Sequence, residues 1–207
     1  RARTHAWPAW ADPDVVRAFH DRGVESLWSH QLAAAELVRD GRHVVLSTGT
    51  ASGKSLAYQL PILTGLKDNP RSRVLYLSPT KALGHDQLRA AAALTAAIPG
   101  LNDVAPTAYD GDSPSEVRRF ARERSRWIFS NPDMIHVSLL RNHARWAVFL
   151  RHLQYVVVDE CHYYRGIFGS NVAMVLRRLL RLCARYSPTE SMPTVIFASA
   201  TTSQPAA

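Results

Sequence analysis

The chain has 207 residues, 46% of them hydrophobic and 20% charged, the balance of one globular domain large enough to bury a sizeable core. No apolar run approaches the roughly 20 residues needed to span a bilayer, and Cys161 and Cys183 alone cannot staple a disulfide framework. A helical membrane protein and a disulfide scaffold are therefore set aside, and a reducing, cytoplasmic setting is expected. A formal net charge of +8 points to a polyanionic partner.

Residues 1–42 read as a lead-in, where Trp7, Trp10, Phe19 and Trp28 mix with charges around a short helix over Asp14–Arg22 that Gly23 closes. The run from His30 to Val38 has apolar positions at 3.6 spacing and predicts a second helix ending at Gly41. From residue 43 onward the pattern alternates. Strands are expected at Val44–Leu46, Val74–Leu77, Val104–Tyr109, Trp127–Phe129, Tyr155–Val158 and Val195–Ala198. Between them lie helical patterns at Ser55–Leu66, Lys81–Ala97, Ser115–Arg122, Met134–Leu140, Arg145–Leu150 and Val172–Arg185. Val156-Val157-Val158 is continuously apolar, as a strand covered on both faces requires. The alternation implies right-handed crossovers and an α/β fold with a mostly parallel sheet over 43–207. Pro188, Pro193 and Ser187 mark a loop, and Thr202–Ala207 reads as an unstructured or truncated tail. The start at Arg1 rather than Met fits a fragment.

Between the first strand and its helix lies Ser47-Thr48-Gly49-Thr50-Ala51-Ser52-Gly53-Lys54-Ser55. Strand, small-residue loop, Gly-Lys-Ser and helix make the context of a phosphate-binding loop, whose backbone N–H groups converge with the positive helix end on phosphate oxygens. Thr50, Ala51, Ser52 and Gly53 would supply that cradle. Lys54 would reach the β- and γ-phosphates, and the Ser55 hydroxyl would ligate Mg²⁺. Thr48 stands where the strict pattern has glycine, with Gly49 one place late.

A second chemical station closes the strand Val156-Val157-Val158 with Asp159-Glu160-Cys161-His162. Ligands gather outside the carboxyl ends of strands in open α/β sheets, so Asp159 is placed to hold Mg²⁺ and Glu160 to activate the attacking water as general base. His136, His143, His152 and His162, with Cys161 and Cys183, lack the paired close spacing of a zinc site, and no metal beyond Mg²⁺ is expected.

Asp-Glu-Cys-His resembles the DEAD/DEAH-type box of superfamily 2 helicases, and further stretches fall in that family's order. Ser78-Pro79-Thr80-Lys81-Ala82-Leu83 resembles its motif Ia, Asn131-Pro132-Asp133-Met134 its motif Ib, and Ser199-Ala200-Thr201 its motif III. Gln31, after Ser29-His30, resembles the adenine-reading glutamine ahead of the phosphate loop. Tyr109-Asp110-Gly111-Asp112 and the run Gly166–Ala173 resemble a narrower branch, bacterial DNA helicases of the mitomycin repair factor kind, similar to RecQ-related eukaryotic enzymes.

The resemblance implies a RecA-like three-layer sandwich, the first of two lobes that close over ATP and Mg²⁺. It also implies DNA rather than RNA as the polyanion, a role in DNA repair, and a second lobe, absent from this chain, that supplies arginines to the γ-phosphate. The isolated chain is then expected to bind nucleotide weakly and to hydrolyse it barely. Ser199 and Thr201 would couple the γ-phosphate to nucleic-acid binding. Several residues also have a chemical reason for their role. A glutamine can pair bidentately with adenine N6 and N7. Thr80 and Asp133 begin predicted helices where backbone N–H groups can meet a phosphodiester, in loops that include Pro79 and Asn131, and Lys81 adds a cation. Trp28 or Phe19 could stack on the base or belong to the core. Arg177, Arg181 and Arg185 share a helix face with Arg178 beside them, either a solvated face or a stripe for nucleic acid or a second lobe. An RNA remodeller and a nucleotide-gated binding module remain the alternatives.

Overall fold

In a computed structural model of the chain, the structure describes residues 3–49 and 53–200. The lead-in holds a two-stranded antiparallel pairing of β1 (Thr4–His5) with β2 (Leu27–Trp28), the helix α1 (Pro13–His20) between them, and α2 (Ser29–Arg39) after them. The Asp12 carboxylate caps α1 by accepting from Asp14 N and Val15 N at 2.9 and 3.2 Å, with Pro13 at the first helical position. Gly23 follows with φ +80°, where its missing Cβ lets the chain turn back.

The main body alternates as its patterning requires. In order it runs β3 (Val44–Thr48), α3 (Lys54–Asp68), β4 (Arg73–Leu77), α4 (Lys81–Ala97), β5 (Thr107–Ala108), α5 (Ser115–Glu123) and β6 (Trp127–Ser130). Next come α6 (Pro132–Met134), which continues as a π-helical turn over Ile135–Leu140, then α7 (Ala147–His152), β7 (Leu153–Val158), α8 (Gly166–Tyr186) and β8 (Thr194–Ala200). The six-stranded sheet has the order β3-β8-β7-β4-β6-β5, and every pairing in it is parallel.

Period-two alternation along the strands builds two cores. Leu46, Tyr76, Phe129, Val157 and Ile196 face α1 to α4, whereas Leu75, Leu77, Ile128, Val156 and Val158 face α5 to α8. α3 is buried along most of its length, and burial of each of Leu60, Ile62, Leu63 and Leu66 is worth about 1.5–3 kcal/mol. Buried Arg126 stitches the lower end: its guanidinium donates to Leu66 O, Asn69 O and Ser72 O and reaches Asp103 at 3.0 Å. At the edge strand β3, Val45 on the α8 side is 70% exposed.

All six expected strands form, with one trimmed. Only Thr107–Ala108 pairs within the expected Val104–Tyr109, because Ala105 takes φ +44° before Pro106 and bends the chain off the sheet. The α8 helix starts six residues ahead of its expected Val172. Gly166-Ile-Phe-Gly lacks helical periodicity, but Gly169 is required there because a Cβ would stand 2.5 Å from Tyr164 O.

Candidate functional site

The parallel sheet sends the ends of β3, β4, β6, β7 and β8 to one edge, and the described candidate site residues other than Gln31 lie at or just past one of those ends. Thr50, Ala51, Ser52 and Thr201 lie outside the described residues. Gly53 caps α3 with φ +69°, a left-handed backbone that favours glycine, and a Cβ on it would fall 2.5 Å from Gln31 Nε2 and displace that amide. Lys54 folds back over the loop and donates to Thr48 O at 2.9 Å and Gly49 O at 3.2 Å. Ser55 is half-buried at the second position of α3.

Gln31 comes from the first turn of α2. Its Oε1 accepts from Trp28 N at 2.8 Å, capping the helix, and its Nε2 donates to Gly53 O at 3.0 Å. A glutamine amide offers two donors and two acceptor lone pairs, so one of each remains, the pair that adenine N7 and N6 require. Gln31 is buried at the back of a cleft of about 600 Å³ that Trp28, Gly53 and Leu56 also line. Of the two aromatic candidates, Phe19 is core, stacked on Trp7, while Trp28 is 42% exposed at this cleft.

Asp159 follows β7, held by its N–H to Leu77 O at 2.8 Å. Its carboxylate is 8% exposed and accepts from the Tyr76 hydroxyl and from Glu160 N at 2.9 Å. Burial holds the carboxyl above the usual carboxylate range, against the pull of those two hydrogen bonds and the Lys54 charge. Such a carboxylate gains from a further cation. The donor set of one buried carboxylate and one hydroxyl, at Asp159 and Ser55, fits a Mg²⁺ that completes its shell with phosphate and water. Burial likewise pushes the Tyr58 and Tyr76 hydroxyls up, so both stay protonated.

Glu160 takes φ +47°, a left-handed backbone that a non-glycine residue adopts at a cost of about 1 kcal/mol or more. That turn sets its carboxylate beside His162, with Oε2 3.0 Å from Nδ1. The same ring nitrogen lies 3.2 Å from the buried Ser199 Oγ at the end of β8.

Around the sheet edge, Thr80 caps α4 by accepting from Leu83 N, and Ser78 Oγ donates to Thr80 O at 2.9 Å. Asn131 Oδ1 accepts from Met134 N at 2.8 Å. Thr80, Lys81, Asn131 and Asp110 line one small recess, with Pro79 half-buried next to Thr80. Asp133 is exposed and lines a separate recess of about 290 Å³ with His136, Phe168 and Arg178. Lys81 is exposed and pairs with Asp112, and His85 Nε2 lies 3.4 Å from Asp110 Oδ2. Arg177 and Arg181 stand exposed over an apolar groove lined by Val45, Leu176, Met192 and Phe197, while Arg178 meets His136 at 3.2 Å.

Tyr76 and His162 belong to this site, although motif spacing gives them no role. The first looks like a core residue in sequence, and only the Asp-Glu-Cys-His run signals the second.

The comparisons follow this geometry. Residues 28–207 match the model of the DEAD/DEAH box helicase family. The chain is 50% identical over 77% of its length to ATP-dependent helicase HRQ1 of Saccharomyces cerevisiae, covering 15% of that protein. It is 40% identical over 99% of its length to the uncharacterized ATP-dependent helicase YprA of Bacillus subtilis, covering 27% of it. The DUF1998 helicase MrfA, solved bound to DNA and AMPPNP, superposes with a TM-score of 0.92 and 38% identity over 99% of this chain and 28% of its own. The chain thus spans well under a third of each of these proteins. With a RecA-like parallel sheet, a Gly-Lys-Ser turn and an Asp-Glu-Cys-His tip at one edge, and a family match over residues 28–207, the chain belongs to the DEAD/DEAH box helicases.

Proposed function

We propose that this chain is the ATP-binding motor lobe of an ATP-dependent DNA helicase. The observation that carries it is that the parallel sheet sets Lys54, at the start of α3 after β3, and the buried Asp159, just past β7, at one edge, where the Lys54 charge acts on the Asp159 carboxyl. Ligands of open α/β sheets gather at that edge, outside the carboxyl ends of the strands. A triphosphate suits it. Gly53 and the α3 N-terminus supply N–H groups to phosphate, Lys54 exchanges its loop carbonyls for phosphate oxygens, and Gln31 and Trp28 receive the base. Ser55 and Asp159 would hold Mg²⁺, which neutralises phosphate charge. Glu160 accepts the proton of the attacking water, with the His162 ring beside its carboxylate.

Support for DNA comes from MrfA, solved with DNA bound, and from the net charge of +8. Pro79, Thr80, Lys81, Asn131 and Asp133 form the candidate path for its backbone, with Ser199 and Thr201 as the link between that path and the nucleotide. A second lobe would complete the phosphate site. The test is Glu160→Gln in the full-length protein: ATP binding is retained and DNA-stimulated turnover lost. Turnover unchanged by that variant would reject the assignment, and RNA outcompeting single-stranded DNA of equal length at fixed salt would redirect the substrate.

A further inference from the structure

Tyr58 and Tyr76 carry hydroxyls into an otherwise apolar core layer, 2% and 1% exposed, where phenylalanine would pack as well. Tyr76 on β4 stands opposite Val157 on β7, and Asp159 lies two residues beyond Val157 on the same face of that strand. The Tyr76 hydroxyl donates to Asp159 Oδ2. Tyr58, one turn of α3 beyond Ser55, is buried in the same layer.

The Tyr76 hydroxyl has one proton, and it goes to Asp159. Asp159 is held at both oxygens, Oδ2 by Tyr76 and Oδ1 by Glu160 N at 2.9 Å.

The geometry points to Tyr76 as a positioning residue that orients the Asp159 carboxylate toward the cation accompanying the nucleotide. This rests on the phosphate-loop assignment of Lys54, Ser55 and Asp159. Mg²⁺ demands near-octahedral donors, and groups standing behind a ligand set how well that ligand meets the demand. Tyr76 touches no nucleotide in this scheme; it acts through the carboxylate it holds.

The experiment titrates a fluorescent ATP analogue onto the 207-residue chain across a Mg²⁺ series and in EDTA, for the parent, Tyr76→Phe and Tyr58→Phe, the last a control for losing a buried hydroxyl of the same layer. Affinity in EDTA is expected to be alike in all three. The Mg²⁺ concentration for half-maximal tightening should rise about 10-fold in Tyr76→Phe and stay near the parent's in Tyr58→Phe. A Tyr76→Phe curve that superimposes on the parent's overturns the inference. So does an equal loss with and without Mg²⁺, the mark of a packing defect. Should Tyr76→Phe melt early, the same curves are read at a temperature where it is folded. Lys54→Ala is the control. If it abolishes binding while the tyrosine variants match the parent, this inference alone falls; a parent that binds no nucleotide removes the phosphate-loop assignment as well.

Discussion

Glu160 Oε2 lies 3.0 Å from His162 Nδ1, although the strained φ of +47° at Glu160 could have aimed its carboxylate elsewhere. The imidazole also reaches Ser199 Oγ at 3.2 Å, so one ring joins the candidate base to the end of β8. In the full-length protein, His162→Ala should therefore lower DNA-stimulated ATP turnover by about 10-fold or more while leaving nucleotide affinity near the parent's. Glu160→Gln should cost about 10²–10⁴-fold, the usual worth of a general base. Steady-state turnover paired with equilibrium binding separates the two effects.

Gly53 and Gln31 are coupled in the same way. A methyl group at Gly53 meets Gln31 Nε2 at 2.5 Å on a left-handed backbone, so Gly53→Ala should cost about 1–2 kcal/mol and lower the melting temperature. Gln31→Ala should weaken ATP binding more than that of a pyrimidine triphosphate, because only adenine offers the N6 and N7 pair. Equal losses for both nucleotides would make Gln31 a helix cap alone.

Asp159 should trade stability for function. Its folded-state pKa is raised, chiefly by burial. Below its unfolded value near 3.8 the carboxyl is protonated in both states and costs nothing. As pH climbs through the raised value the folded chain holds the proton more tightly than the unfolded one, so stability falls across that window. In EDTA at neutral pH, Asp159→Asn should melt above the parent, and in Mg²⁺ it should lose the cation's contribution to nucleotide binding. Thermal denaturation in the two buffers checks both signs.

Lys81 pairs with Asp112 in a loop 31 residues away, and both side chains are exposed. Asp112→Asn should leave Lys81 free for phosphate and tighten single-stranded DNA binding modestly. Lys81→Ala should weaken it and reduce the slope of log K against log salt by about 1. A salt series on the three proteins reads this directly.

The sequence carries the fold further than it carries the details of the site. Val156-Val157-Val158 and the run Val74–Leu77 are apolar at every position, and both became central strands covered on two faces. Short non-local pairings left no such mark. Thr4–His5 with Leu27–Trp28 is two residues against two, too little for any period to register. The Met134–Leu140 pattern is helical in hydrophobicity, but a six-residue π-helical turn carries the same apolar spacing. At the site, Lys54 and Asp159 could be found because local motifs spell them. Tyr76 could not, since its hydroxyl partner Asp159 comes from another element and a tyrosine in an apolar run reads as core.

The most direct measurement is nucleotide binding by the parent chain and Lys54→Ala, followed with a fluorescent ATP analogue in Mg²⁺. A phosphate loop facing Asp159 predicts saturable binding by the parent and a loss of about 10-fold or more in the variant. Identical curves for the two proteins would contradict it.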